Sequence, residues 1–281
     1  WHKERGIPFE QIGFRYYGPI DGHDIEGLER HINAAQSVRG PAILHVITKK
    51  GMGYAMAETE PTRYHGVSPF PMQYGLSDKD PQDQKTFSDV FGNAMLTLAD
   101  RDKKVVAITA AMAQGTGLCS FKNRYPDRFY DVGIAEQHAL TLAAGLAAGG
   151  AKPVVALYST FLQRGMDQLI HDICLQKLPV IIAVDRAGLV SSDGPTHQGL
   201  FDLSMTLNLP NLAIMAPATA IDLERSLLYA HEYKGPVMIR YPRDLASTVD
   251  LISLDEAMPE PKSLDDLQKI RHVRSGSDLT V

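Results

Sequence analysis

Glu136 follows a glycine turn, Gly133-Ile134-Ala135, and opens a run of small apolar residues from Ala139 to Ala148. An acidic residue in the first turn of a helix complements the helix dipole, for about 0.3–1 kcal/mol. The same carboxylate, where a strand's carboxyl end meets a helix, sits where open α/β sheets bind ligands. On position alone both readings stand. Three further polar clusters each carry an arginine. They are Tyr158-Ser159-Thr160-Phe161-Leu162-Gln163-Arg164, Asp185-Arg186-Ala187-Gly188 continuing from Ser191 to Gly199 through Asp193 and His197, and Tyr241-Pro242-Arg243-Asp244. Guanidinium forks match phosphate and carboxylate, so converging arginines point to an anionic ligand. Surface ion pairs with the neighbouring aspartates are the alternative.

Each cluster follows an apolar run of strand length. Val105–Thr109, Phe129–Val132, Pro153–Leu157, Pro179–Val184, Leu212–Met215 and Pro236–Arg240 read as six short strands. Helical patterns separate most of them: one capped by Thr86 or Ser88, one ending at Pro126, the Glu136 helix, Thr160–Leu175 and Ala220–His231. That alternation predicts a doubly wound, mostly parallel α/β sheet, whose strand ends share one edge. The Glu136 helix, all small and apolar, is expected to be buried. Upstream, Ile12–Tyr17 reads as a strand and Gly18-Pro19-Ile20-Asp21-Gly22-His23-Asp24 as a turn. Asp24 caps a helix carrying Ile25, Leu28, Ile32 and Ala35, and Ala42–Thr48 is a buried strand, a second parallel unit. Lys49-Lys50-Gly51-Met52-Gly53-Tyr54 suits an anion or a close backbone approach, or is a solvated loop. From Ala55 to Lys85 no period is visible, which reads as a linker between domains, with His65 exposed in it.

The net charge of -5 and the lack of a basic block argue against nucleic acid as a partner. No apolar run reaches the roughly 18 residues of a membrane span. Cys119 and Cys174 are too few and too far apart for a disulfide framework or metal knuckle; both lie in apolar surroundings and read as buried, reduced thiols of a cytoplasmic protein. The chain opens without Met and closes on a strand-like Asp278-Leu279-Thr280-Val281, and is read as a fragment of a longer protein.

DVGIAEQHA resembles the pyrimidine-domain signature of the transketolase group of thiamine-diphosphate enzymes. Within that group FRYYGPIDGHD, ILHVITKKGMGYAMAE, YHGV, AMAQGTGL, YSTFLQRGMDQ, DRAGLVSSDGPTHQGLFD and MIRYPR, in this order from about residue 12 to 244, resemble the 1-deoxy-D-xylulose 5-phosphate synthases. The resemblance implies that Glu136 bonds a ring nitrogen of the thiamine diphosphate pyrimidine, that Phe161 stacks on it, and that Ile134 and Tyr54 contact the cofactor. It implies that Arg186 and Arg243 take the acceptor phosphate, that Tyr158, Arg164 and Asp193 belong to the substrate site, and that His65 and His197 move protons. For both histidines a merely structural place stays open. The reaction implied is decarboxylation of pyruvate and transfer of the two-carbon unit to D-glyceraldehyde 3-phosphate, in a homodimer of the cytoplasm or, in a plant, the plastid stroma.

The Gly-Asp-Gly motif through which such enzymes bind magnesium is not in this sequence. No Mg2+ ligand is therefore expected in this chain, and alone it is expected to be inactive. The implied organisation is 1–48, the end of a pyrophosphate-binding domain; 49–85, a linker; 86–244, the pyrimidine-binding domain; and 245–281, a linker and the start of a transketolase C-terminal-like domain. The alternatives are a non-catalytic module of the same fold, or another enzyme of the group: a transketolase or the β chain of a 2-oxo acid dehydrogenase decarboxylase. Those enzymes are not expected to carry DRAG, DGPTHQG and YPR together.

Overall fold

The computed structural model describes residues 7–67, 69–76, 85–190 and 193–247. The chain divides into two compact units, 1–79 and 80–281. In the first, α1 (Ile7–Gln11), β1 (Arg15–Asp21), α2 (Ile25–Gln36), β2 (Ala42–Ile47) and α3 (Ala55–Thr59) follow in order, and β1 pairs with β2 in parallel. Asp24 caps α2, its Oδ1 accepting the Gly27 N–H at 3.0 Å. Two expectations are corrected here. Gly18-Pro19 is not a turn but lies inside β1, where the register shifts between Tyr17 and Ile20. The stretch after Ala55 is not wholly irregular: α3 follows Tyr54, and Tyr54, Tyr64 and Phe70 pack ring against ring.

The second unit runs α4 (Phe87–Arg101), β3 (Val105–Thr109), α5 (Cys119–Arg124), β4 (Phe129–Asp131), α6 (Glu136–Ala148), β5 (Lys152–Tyr158), α7 (Ser159–Leu162) and α8 (Met166–Gln168). It continues with β6 (Ile181–Asp185), α9 (Asp202–Thr206), β7 (Ala213–Met215), α10 (Ala220–Glu232) and β8 (Val237–Arg240). Its six strands are all parallel, in the order β4-β3-β5-β6-β8-β7. Because side chains alternate along a strand, each strand feeds two cores. Val105, Ala107, Val154, Ala156, Ile181, Ala183, Val237 and Ile239 meet α4, α5 and α10 on one face. Val106, Ile108, Val155, Leu157, Ile182, Val184 and Met238 meet α6 and the segment after α8 on the other. Helices on both faces make this the doubly wound layer that the strand pattern predicts.

Three local expectations fail in this unit. Cys119 is exposed while Cys174 is buried, because α5 turns Phe121 to the core and Cys119 away. Only one face of α6 is buried (Ala139, Leu140, Ala143, Ala144, Ala147); Thr141, Gly145 and Ala148 are exposed. Thr160–Leu175 is not one α-helix. It passes through α7, a 3₁₀ turn at Gln163–Gly165, α8 and a π-helical turn at Leu169–Cys174. A Cβ on Gly165 would lie 2.4 Å from Leu140 Cδ1, so this segment crosses α6 at a close contact with the Leu140 side chain. The strand read at residues 278–281, and everything beyond Ser247, lies outside the described residues.

The entry to α4 is set by a capping box. Thr86 Oγ1 accepts the Asp89 N–H at 3.2 Å, and the Thr86 N–H donates to Asp89 Oδ2 at 2.9 Å. Thr86→Ala is expected to cost about 1 kcal/mol, read as a lowered urea midpoint with an unchanged slope.

Candidate functional site

β3, β4, β5, β6 and β8 deliver the polar clusters to one sheet edge. At the end of β4, Asp131 Oδ1 accepts the N–H groups of Ala111 at 2.8 Å and Gly133 at 3.0 Å, which ties two strand-end loops together. Gly133 holds φ +71, a left-handed conformation natural to glycine, and the chain turns there into α6. Glu136 stands in the first turn, 2% exposed. Its Oε2 is buried and accepts no hydrogen bond, although the Arg164 Nη1 lies 2.8 Å away as an ion-pair partner. Arg164 reaches that place from the 3₁₀ turn that Gly165 lets cross α6, and is itself about half exposed. Ile134, just before Glu136, is 76% exposed.

The other residues form a chain of contacts. Phe161 stacks on Tyr158, centroids 5.5 Å apart and planes within 9°, and meets the His197 ring edge-on at 5.4 Å. The Arg186 guanidinium lies 3.9 Å from the Tyr158 ring centroid, a cation–π contact. Asp193 stands between two arginines, 3.5 Å from Arg186 Nε and in direct contact with Arg243 Nη1. His197 Nδ1 pairs with Thr196 Oγ1 at 2.9 Å, and the Thr196 carbonyl accepts from Thr160 Oγ1 at 3.0 Å. The loop carrying Asp193 and His197 is pinned by Gly188 and Gly199, which exchange N–H···O bonds of 2.8 Å. Gln198 bonds Val190 on both sides at 2.7 Å. Ser191 and Ser192 of this loop lie outside the described residues. All three arginines of the clusters thus have acidic partners, as the ion-pair alternative holds, yet they gather round one edge, as the ligand reading requires.

Several contributors were not singled out from sequence. Asp185, the last residue of β6, is fully buried; its Oδ2 accepts from Ser88 Oγ and its Oδ1 from the Arg186 N–H, each at 2.7 Å. Burial pushes its carboxyl up, against the Arg186 guanidinium and these two bonds, which favour the charge. Arg186 itself holds φ +57, which costs a non-glycine residue roughly 1–2 kcal/mol. Gly115 leaves the space that the Tyr158 hydroxyl fills: a Cβ there would be 1.9 Å from it. Burial pushes the Tyr158 phenol up to about 12, so it stays a hydrogen-bond donor. An aspartate closing an apolar strand is the one signal that could have marked Asp185; nothing in the sequence links it to Ser88.

Tyr54 and His65 belong to the first unit. The Tyr54 hydroxyl donates to the Met72 carbonyl at 2.9 Å, and His65 is exposed. The glycine loop before Tyr54 is held by its own chain. Glu58 pairs with Lys49 and accepts the Gly53 N–H at 3.0 Å, and the Lys49 bond holds its carboxyl below the usual range. A Cβ on Gly51 would lie 2.4 Å from the Ala57 carbonyl, so this glycine serves a close backbone approach. Among the described residues no three His, Cys, Asp or Glu side chains converge as metal ligands, and no helix is long and apolar enough to cross a membrane.

The chain is similar to known proteins. The family model for the transketolase pyrimidine binding domain matches residues 83–248, and that for 1-deoxy-D-xylulose-5-phosphate synthase matches residues 2–48. The 1-deoxy-D-xylulose-5-phosphate synthase of Halothermothrix orenii is 54% identical over 88% of this chain and 38% of its own length. That of Desulforudis audaxviator is 49% identical over 98% of this chain and 42% of its own. The chain therefore spans 38–42% of the length of these relatives. Among solved structures, a split-gene transketolase described as an inactive β4 tetramer matches with a TM-score of 0.52 and 31% identity, over 58% of this chain and 54% of that one.

Proposed function

The chain belongs to the transketolase pyrimidine-binding family, and from that premise we propose that it forms the aminopyrimidine half of a thiamine-diphosphate site. The observation that carries this is Glu136: a carboxylate buried at the carboxyl edge of a parallel sheet, ion-paired with Arg164 at 2.8 Å, whose Oε2 accepts no hydrogen bond. Burying such an atom is costly unless a partner arrives. An aminopyrimidine ring fits the place, because Phe161 offers a flat face, Ile134 an exposed apolar side chain, and Glu136 an acceptor. When bound, thiamine diphosphate supplies the electron sink for decarboxylating a 2-oxo acid and passing on the remaining carbon unit.

Every other task falls to side chains. Glu136 holds a proton at the pyrimidine ring nitrogen, in surroundings that strengthen the bond. Tyr54 contacts the cofactor. His197 and His65 move protons at the carbonyl and hydroxyl oxygens of the substrates. Arg186 and Arg243 bind the acceptor phosphate, and Tyr158, Arg164 and Asp193 line the substrate site. The substrates are pyruvate and D-glyceraldehyde 3-phosphate, and the products carbon dioxide and 1-deoxy-D-xylulose 5-phosphate, an isoprenoid, thiamine and pyridoxal precursor. The similarity to relatives named 1-deoxy-D-xylulose-5-phosphate synthase supports that assignment. Mg2+ and the diphosphate are to be held by residues outside this sequence, in a cytoplasmic or plastid homodimer, and these residues alone are to be inactive. The split-gene neighbour, described as an inactive tetramer, supports the last point.

The substrate assignment is tested by Arg186→Ala and Arg243→Ala in the full-length protein. Loss of a charged bond to phosphate is expected to lower kcat/KM for D-glyceraldehyde 3-phosphate about 100-fold, close to 3 kcal/mol, with the KM for pyruvate little changed. Equal losses for both substrates would overturn it.

A further inference from the structure

The Arg186 guanidinium is committed at one end. Nη1 donates to the Gly115 carbonyl at 2.7 Å and lies 3.0 Å from Asp185 Oδ1. Nε is buried and makes no hydrogen bond, its acidic neighbour Asp193 Oδ2 standing off at 3.5 Å, and among the described residues no hydrogen bond falls on Nη2. Those two nitrogens form the edge of the fork that takes two oxygens of an oxyanion. The Gly115 carbonyl fixes the committed end together with Asp185, which is fully withdrawn from water and anchored by Ser88 of α4 and by the Arg186 backbone N–H. A buried carboxylate is costly unless its partners hold it. Here the partners converge on a single orientation of one guanidinium. The Tyr158 ring, 3.9 Å away, closes its face.

We propose that Asp185 and Ser88 are positioning residues, a buried brace that aims the Nε–Nη2 edge of Arg186 at the acceptor and sets selectivity for a phosphorylated over a neutral aldehyde. This rests on the reading of Arg186 as a phosphate ligand. Neither residue touches the substrate. Asp185 acts through Arg186, and Ser88 acts through Asp185 by a bond between side chains 97 residues apart. Without the brace the guanidinium keeps its charge and its contact with Tyr158 but loses its fixed direction.

The test compares D-glyceraldehyde 3-phosphate with D-glyceraldehyde as acceptor in the full-length protein. Asp185→Asn is expected to raise the KM for the phosphorylated aldehyde about 10–100-fold, the usual loss when an orienting partner is removed, and to leave kcat/KM for the neutral aldehyde within about threefold. Ser88→Ala is expected to act in the same direction by about 3–10-fold. Calorimetry with glycerol 3-phosphate and glycerol gives the same comparison without turnover. Parallel losses on both acceptors, or no change on either, would overturn the brace, and Ser88→Ala decides alone if Asp185→Asn does not fold. Arg186→Ala separates the two levels: if it too fails to distinguish the acceptors, the phosphate reading of Arg186 is wrong and the brace falls with it.

Discussion

Glu136→Ala in the full-length protein is expected to lower carbon dioxide release from pyruvate by about 10²–10⁴-fold, the range for removing a positioned acid–base group, or about 3–5 kcal/mol of barrier. Glu136 is 2% exposed, and its Oε2 has the half-exposed Arg164 as an ion-pair partner but no hydrogen bond, which leaves it an acceptor for a bound ring. A helix-dipole partner would cost only a few tenths to about 1 kcal/mol of stability when removed, and no activity. The partner left behind, Arg164, is about half exposed and can turn to water. The variant should therefore fold, which circular dichroism checks, and fail at the chemistry. Glu136→Gln, which keeps the shape and loses the charge, should fail nearly as badly. Both variants with near-normal turnover would leave Glu136 a dipole partner.

The second large effect lies beneath the site. Phe91, 1% exposed, packs in the core of α4 with its ring 5.7 Å from that of Tyr241, which also stacks on Phe87. Tyr241 continues β8 toward Arg243, and its carbonyl accepts the Ala187 N–H at 3.0 Å, joining the ends of β6 and β8. Phe91→Ala is expected to cost about 3–5 kcal/mol, lost transfer energy plus a cavity, measured by denaturant unfolding. Phe91→Leu, which leaves less empty volume, should cost less than half as much. The cost should also loosen the arginine edge, seen as faster amide exchange at Ala187.

The sheet was legible because its signal is local. Alternating Val105 to Ile108 feed opposite cores, and apolar runs closed by polar clusters put the strand ends where a parallel sheet collects them. The place of Glu136 in the first turn of α6 was legible for the same reason: the glycine turn adjoins it in sequence. What failed depends on contacts between distant segments. The pattern of Leu162, Leu169 and Ile173 reads as one helix, and the break beside it falls at Gly165, packed against the Leu140 side chain of a distant segment. Cys119 looked buried because its neighbours are apolar, yet Phe121 takes the core side. Gly18-Pro19 carries turn residues but is held in β1 by pairing with β2. The one-sided burial of α6 is invisible where Ala139 to Ala148 are nearly all apolar on every face. Asp185 and Ser88 meet across 97 residues, a link no spacing reveals.

The proposed function is a thiamine-diphosphate site built on Glu136 for pyruvate and a phosphorylated aldehyde. Its most direct test is release of labelled carbon dioxide from carboxyl-labelled pyruvate by the full-length protein with thiamine diphosphate and magnesium. Fast release when D-glyceraldehyde 3-phosphate is present, and slow release without it, is the predicted result. No release with both cofactors and both substrates present would contradict it.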